Sequence, residues 1–171
     1  MRILCFASII MFFASMSSCN NDAAKPTNDT ADSVSKVVKT EKANPFFRKD
    51  GELRFAEART YKEIVKIEIE VADDENERIL GLMNRDSIPA NAGMLFMMGV
   101  EESQSFWMKN TKIPLDIIYV SADNVIVKVC ANTEPYSLKN IDSDFPAMYV
   151  VEVNAGFVKK NGIKAGDRII F

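Results

Sequence analysis

Hydrophobic residues recur along the second half of this chain at two spacings. Ile67, Ile69 and Val71 alternate with Lys66, Glu68 and Glu70, the period-two pattern of a strand with one wet face. Further short runs follow at MLFMM (94–98), SFWMK (105–109), LDIIYV (115–120), NVIVKV (124–129), MYVVEV (148–153) and Arg168–Phe171. The three consecutive runs between 105 and 129 predict an antiparallel meander. Near the start of the domain, Phe46-Phe47 and Leu53/Phe55 flank Asp50-Gly51, a pair that favours the positive backbone angles of a tight hairpin turn. Helical spacing is confined to two places. Ile79, Leu82 and Met83 share a face in a segment from Asp74 to Met83, which Asp74 can cap with Glu77 three residues on. Residues Ala155–Asn161 form the second, stopped by Gly162. Many short strands and two short helices define a mostly β (α+β) domain. Its expected form is a small antiparallel β-barrel-like or rolled sheet in which closure covers the edges.

The N-terminal part reads differently. Residues 1–18 combine Arg2, an apolar run from Ile3 to Phe13 and small residues before Cys19, the pattern of a secretory signal. Met16-Ser17-Ser18-Cys19 is similar to a bacterial lipobox, with Met in place of the usual Leu, which makes Cys19 the expected lipidation site. Acyl chains there would hold the protein on a membrane. Residues 19–44 are polar, with four lysines balanced by four acids between Asp22 and Lys42, and contain too little apolar surface to offset the entropy of ordering. The expected organisation is a signal peptide (1–18), a flexible tether (19–44) and one globular domain (45–171), exported and facing the periplasm or exterior. A monomer is expected.

Composition narrows the chemistry. The 171 residues are 47% hydrophobic and 26% charged, as in one ordinary domain with additions. The net charge of −3 becomes −4 when Arg2 leaves with the signal, and no basic cluster is present, so nucleic acid is not an expected partner. Histidine is absent, which removes the commonest neutral-pH acid-base group and nitrogen metal ligand. No metal or cofactor is expected. Of the three cysteines only Cys130 falls in the domain, so an internal disulfide framework is excluded there and an inert, buried thiol is expected. Met83, Met94, Met97, Met98 and Met108 read as core filler.

The chemistry-bearing residues gather in FWMKNTKIPLDIIYV (106–120). Alternation places Phe106 and Met108 on one face and Ser105, Trp107 and Lys109 on the other, so Trp107 either packs under a loop or lines a ligand groove. Asn110 and Thr111 are turn formers. Asp116 interrupts an apolar strand and needs a cation or several hydrogen-bond donors, with Arg85, Arg78 and Lys109 as available cations. Arg85 can also act as an anion-binding fork. Gly81 weakens its helix and implies a bend or a close backbone approach. Asp116, Glu134, Asp142, Asp144 and Glu152 are too irregularly spaced to select a catalytic pair.

Three blocks, ERILGLMNRDSIPANAGMLFMM (77–98), FWMKNTKIPLDIIYV (106–120) and YVVEVNAGFVKKNGIKAGDRI (149–169), closely resemble in order and spacing the signatures of the domain of unknown function 192 family. The family's Gly-Leu-Met-x-Arg falls on Gly81, Leu82, Met83 and Arg85, and its Phe-Trp-Met-Lys-Asn-Thr on Phe106–Thr111. The segment VCANTEPYS around Cys130–Pro135 departs from the family's usual acidic or aliphatic run. The resemblance implies a compact, mostly β fold and frequent export, and no reaction. The expectation is a lipid-anchored binding or accessory domain that recognises a small polar ligand or an envelope protein through Arg85, Trp107, Lys109, Asn110 and Asp116. The alternatives are a hydrolase or transferase on envelope polymers, with Asp116 as acid or base and Arg85 or Lys109 stabilising negative charge, and a structural protein-interaction module.

Overall fold

The computed structural model describes residues 47–171; the expected signal, Cys19 and the whole expected tether fall outside them. Seven strands form one sheet: β1 (Gly51–Ala56), β2 (Glu63–Ala72), β3 (Ala92–Phe106), β4 (Leu115–Val120), β5 (Ile126–Cys130), β6 (Ile141–Asn154) and β7 (Arg168–Ile170). Helix α1 (Glu75–Leu80) follows β2, and α2 (Phe157–Asn161) follows β6. The strand order is β5-β4-β6-β3-β2-β1-β7. Its two ends approach each other where Val125 bridges Arg168 and the Ile126 amide donates to Asp167 O at 2.8 Å, so the sheet is nearly closed into a barrel. All neighbours are antiparallel except β2 and β3, which run parallel and are joined through α1.

Two expectations are corrected. The Asp50-Gly51 pair does not turn a hairpin: residues 47–50 are not a strand, and β1 instead pairs with β2 through the 57–62 loop and with β7. The Asp50 side chain is engaged elsewhere, accepting from the Val71 amide at 2.9 Å. The 105–129 meander does not form either, because β6 lies between β3 and β4. The sequence reason is that Val150, Val151 and Val153 are apolar on both faces, which suits the centre of a sheet and not its edge. Of SFWMK only Ser105 and Phe106 belong to the long β3, which ends at Phe106; Trp107, Met108 and Lys109 lie in the turn beyond it.

Alternation sorts the strands into two cores. Leu53, Phe55, Ile67, Ile69, Leu95, Ile118, Val120, Ile126, Val151, Val153 and Ile169 face the barrel interior, which Phe157, Val158 and Ile163 of the α2 region help to fill. The opposite faces of β3, β4 and β6 carry Met94, Phe96, Leu115, Ile117, Tyr119 and Val150, packed with Leu82, Ile88 and Met108 from the connecting segments. Strand β4 is therefore buried on both sides along its whole length. The 81–91 segment is tied to the 107–111 turn by the Asn84 amide donating to Asn110 O at 2.8 Å.

Helix α1 starts where the Asp74 side chain accepts from the Glu77 amide at 2.8 Å, as its capping pattern predicts. It ends at Gly81, whose positive φ of 46° and position against Phe96 explain the glycine: a Cβ there would lie 3.2 Å from Phe96 Cζ.

Candidate functional site

The five candidate residues do not converge. Asp116 is fully buried on the interior face of β4, opposite Val153. Its Oδ1 accepts from the Asn132 amide and its Oδ2 from the Val158 amide, both at 2.9 Å. No cation meets it among the described residues; two backbone donors answer its charge and join the β5 exit and α2 to the barrel. Arg85 is also buried, and its two Nη atoms hold both carboxylate oxygens of Glu70. Glu70 additionally accepts from the Arg48 amide at 3.0 Å. The guanidinium fork is thus occupied by a partner on β2, where the alternating pattern predicts a wet position. Lys109 and Asn110 are exposed, and Asn110 supplies a positive φ of 56° to the turn. The acid-base arrangement of Asp116 with Arg85 or Lys109 is therefore not assembled.

Trp107 is placed differently. It is 46% exposed, and the Lys109 Nζ sits 4.8 Å from its ring centroid. It borders a cleft of about 290 Å³ on the outer side of the sheet, between α1 with its Gly81-Leu82-Met83 exit and the end of β3. Phe96, Met98, Phe106 and Met83 supply apolar walls, and Thr111 and Glu152 reach in from the 107–111 turn and β6. Phe96 and Phe106 meet edge to face with centroids 5.1 Å apart, which fixes the aromatic wall. Arg78 lies along the α1 side with Nη1 donating to the carbonyls of Asp73 (2.6 Å) and Met97 (3.1 Å).

Glu152 is the residue that gives this cleft chemistry. On β6 it stands between Met94 of β3 and Ile117 of β4, on the opposite sheet face from Asp116. It is 5% exposed and has neither a hydrogen bond nor an ion pair among the described residues. The sole sealed side-chain polar atom without a partner there is Asn124 Oδ1, so the Glu152 oxygens retain access, and the opening beside them is the cleft. Burial pushes its carboxyl up to about 8. At neutral pH it is mostly a neutral acid, able both to donate and to accept. The pattern that marks Asp116 in the sequence, a carboxylate inside an apolar strand, marks Glu152 in MYVVEV equally; spacing alone could not tell which of the two opens to solvent. Cys130 is half-buried, and burial pushes its thiol up as well. No cluster of three or more metal-ligating side chains occurs among the described residues.

Fold and site together define a small, nearly closed β-barrel carrying an external apolar cleft with one unpaired acid at its base. The chain belongs to the DUF192 family (Uncharacterized ACR), whose model matches residues 56–171. Among solved structures it is similar to a protein from Sinorhizobium meliloti 1021 described as "a putative transcription regulator". That protein is 35% identical, with a TM-score of 0.67 over 72% of this chain and 94% of its own. A protein of unknown function from Novosphingobium aromaticivorans DSM 12444 is 32% identical, with a TM-score of 0.65 over 70% of this chain and 84% of its own. The comparison with curated proteins returned no match.

Proposed function

We propose that this chain is a ligand-binding module that receives a small molecule with a largely apolar body in the cleft between α1 and the end of β3. The observation that carries this reading is the unpaired Glu152 at the base of an aromatic and thioether-lined cleft. A buried carboxyl without a partner lowers stability, and such groups are retained where a ligand completes them. The reading leaves Asp116 and the Glu70-paired Arg85 out of the site and keeps Trp107 as its border. The regulator description of the S. meliloti protein is not carried over, since this chain has a net charge of −3 and no basic cluster to meet a phosphate backbone.

The module would work at a membrane surface if residues 1–44 act as signal, lipidated Cys19 and tether. Incorporation of labelled palmitate, lost in Cys19→Ser, tests that part. For the cleft, Trp107 is the only tryptophan of the chain, so its fluorescence reports occupancy directly. Small molecules with apolar bodies are expected to shift Trp107 emission and raise the melting temperature of the full chain. Both effects should be lost in Met83→Phe, which narrows the cleft and leaves Trp107 the only tryptophan. A library that moves neither signal overturns the reading.

A further inference from the structure

The chemistry around Glu152 specifies what the ligand must bring. The carboxyl needs hydrogen-bond donors, and its neighbours supply none: Met94 and Ile117 flank it on β3 and β4, and Phe96, Met98 and Phe106 continue the apolar wall. The charged side chains that share the cleft are Arg78 and Glu75, both from α1. Glu75 is exposed, and Arg78 is half-exposed and bonded to the Asp73 and Met97 carbonyls, so neither shares the unmet need of Glu152. From β4 the titratable neighbour is Tyr119, whose hydroxyl donates to Ile141 O and whose ionisation burial suppresses; along the row of Glu152, Glu70 of β2 lies beyond Met94 and is held by Arg85, and Cys130 of β5 lies beyond Ile117 with its thiol pushed up by burial. The 107–111 turn adds the indole of Trp107, whose outer side carries the exposed Lys109 ammonium, and the Thr111 hydroxyl, whose own contact to Lys109 O is long at 3.4 Å.

We propose that the cleft takes an organic amine, its apolar body lying between α1 and the aromatic end of β3 and its ammonium paired with the Glu152 carboxylate. An ammonium presents several donors to one carboxylate, and desolvated pairs of this kind are stronger than neutral hydrogen bonds. A neutral alcohol would satisfy the protonated acid with one bond. An anionic head would meet Arg78 but leave Glu152 buried without a partner. The proposal rests on the cleft being a binding site, and its test separates the two.

Below pH 8 an amine binds as its ammonium while the Glu152 proton leaves to solvent; no covalent bond forms. Amine affinity should therefore rise about tenfold from pH 6 to pH 7 and level off above the Glu152 transition near 8, the amine itself staying charged to about pH 10. The experiment titrates the full chain with phenethylamine, 2-phenylethanol and 3-phenylpropionate, which share one body and differ in head charge, reading Trp107 fluorescence and calorimetric proton release. The expected result is at least tenfold preference for phenethylamine over 2-phenylethanol at pH 8, close to one proton released per amine bound at pH 6, and loss of the preference in Glu152→Gln, whose melting temperature at pH 8 is no lower than the parent's. Equal binding of amine and alcohol, or a preference unchanged in Glu152→Gln, overturns the amine assignment while leaving the cleft as a binding site. No response to any of the three overturns both.

Discussion

Two carboxylates one register position apart across the β4–β6 pair carry opposite consequences. Asp116 faces the barrel interior and is matched by two amides; Glu152 faces outward and is matched by none. Removing the first should therefore harm the fold. Asp116→Ala leaves the Asn132 and Val158 amides unanswered and is expected to cost on the order of 3–5 kcal/mol in urea unfolding. Asp116→Asn, which keeps one acceptor oxygen, should cost less. Removing the second should help. The folded state holds the Glu152 proton up to about 8, against about 4.5 for the ordinary group, so folding takes up a proton between those values and stability falls as pH rises through them. Gln does not titrate. Glu152→Gln should match the parent below pH 4.5 and exceed it progressively up to about pH 8, by on the order of 3–5 kcal/mol at the plateau, in unfolding curves taken across that range. Both residues break an apolar alternation, so both were visible in the sequence as anomalies. Their division of labour was not, since it depends on which sheet face the connecting segments seal.

At the scale of elements, the positions that bring strands together are set by backbone approach as much as by side chains. At Gly93, where β3 meets β6, an added Cβ would lie 2.5 Å from Glu152 O and 2.9 Å from Val153 Cγ1. Gly93→Ala should therefore lose roughly 3 kcal/mol in the same unfolding assay. Gly51→Ala, whose nearest contacts are at an ordinary 3.7 Å and which needs no positive φ, should be neutral or slightly stabilising. The capped α1, the α2 segment stopped by Gly162 and the alternating β2 follow local rules and were legible from residues 66–83 and 155–162. The Asp50-Gly51 turn and the 105–129 meander were not, because each was decided by a competitor distant in sequence: the Val71 amide for the Asp50 side chain, and β6 for the place beside both β3 and β4. Arg85 belongs with these. Its sequence neighbourhood offers it as a free fork, and Glu70 on β2 takes both of its Nη atoms.

For the domain as a whole, the long β3–β6 pairing and the nearly single-bridge contact between the β5 and β7 ends are extremes of one nearly closed sheet. Local opening should begin where few backbone bonds hold the seam. Native-state hydrogen exchange is expected to show the Ile126 and Ile169 amides, which bond across that seam, exchanging well before those of Leu95 and Val151 in the centre. Equal protection across the sheet would mean that the barrel opens only globally. The mostly β architecture and the family membership agree with the sequence blocks at 77–98, 106–120 and 149–169, which together supply the cleft walls, the 107–111 turn and Glu152.

The seam has a temporal side. Strand β1 owes one of its two neighbours to β7, with Arg54 opposite Ile170, and the only parallel pairing among the described residues, Ile69 opposite Gly93, waits on the excursion through α1. Contacts so remote along the chain close slowly. A ribosome that has delivered β1 to β6 has made a sheet with an unpaired flank, and the barrel can be completed only after Ile170 has emerged. The seam between the β5 and β7 ends can therefore close only after the rest of the sheet has been delivered.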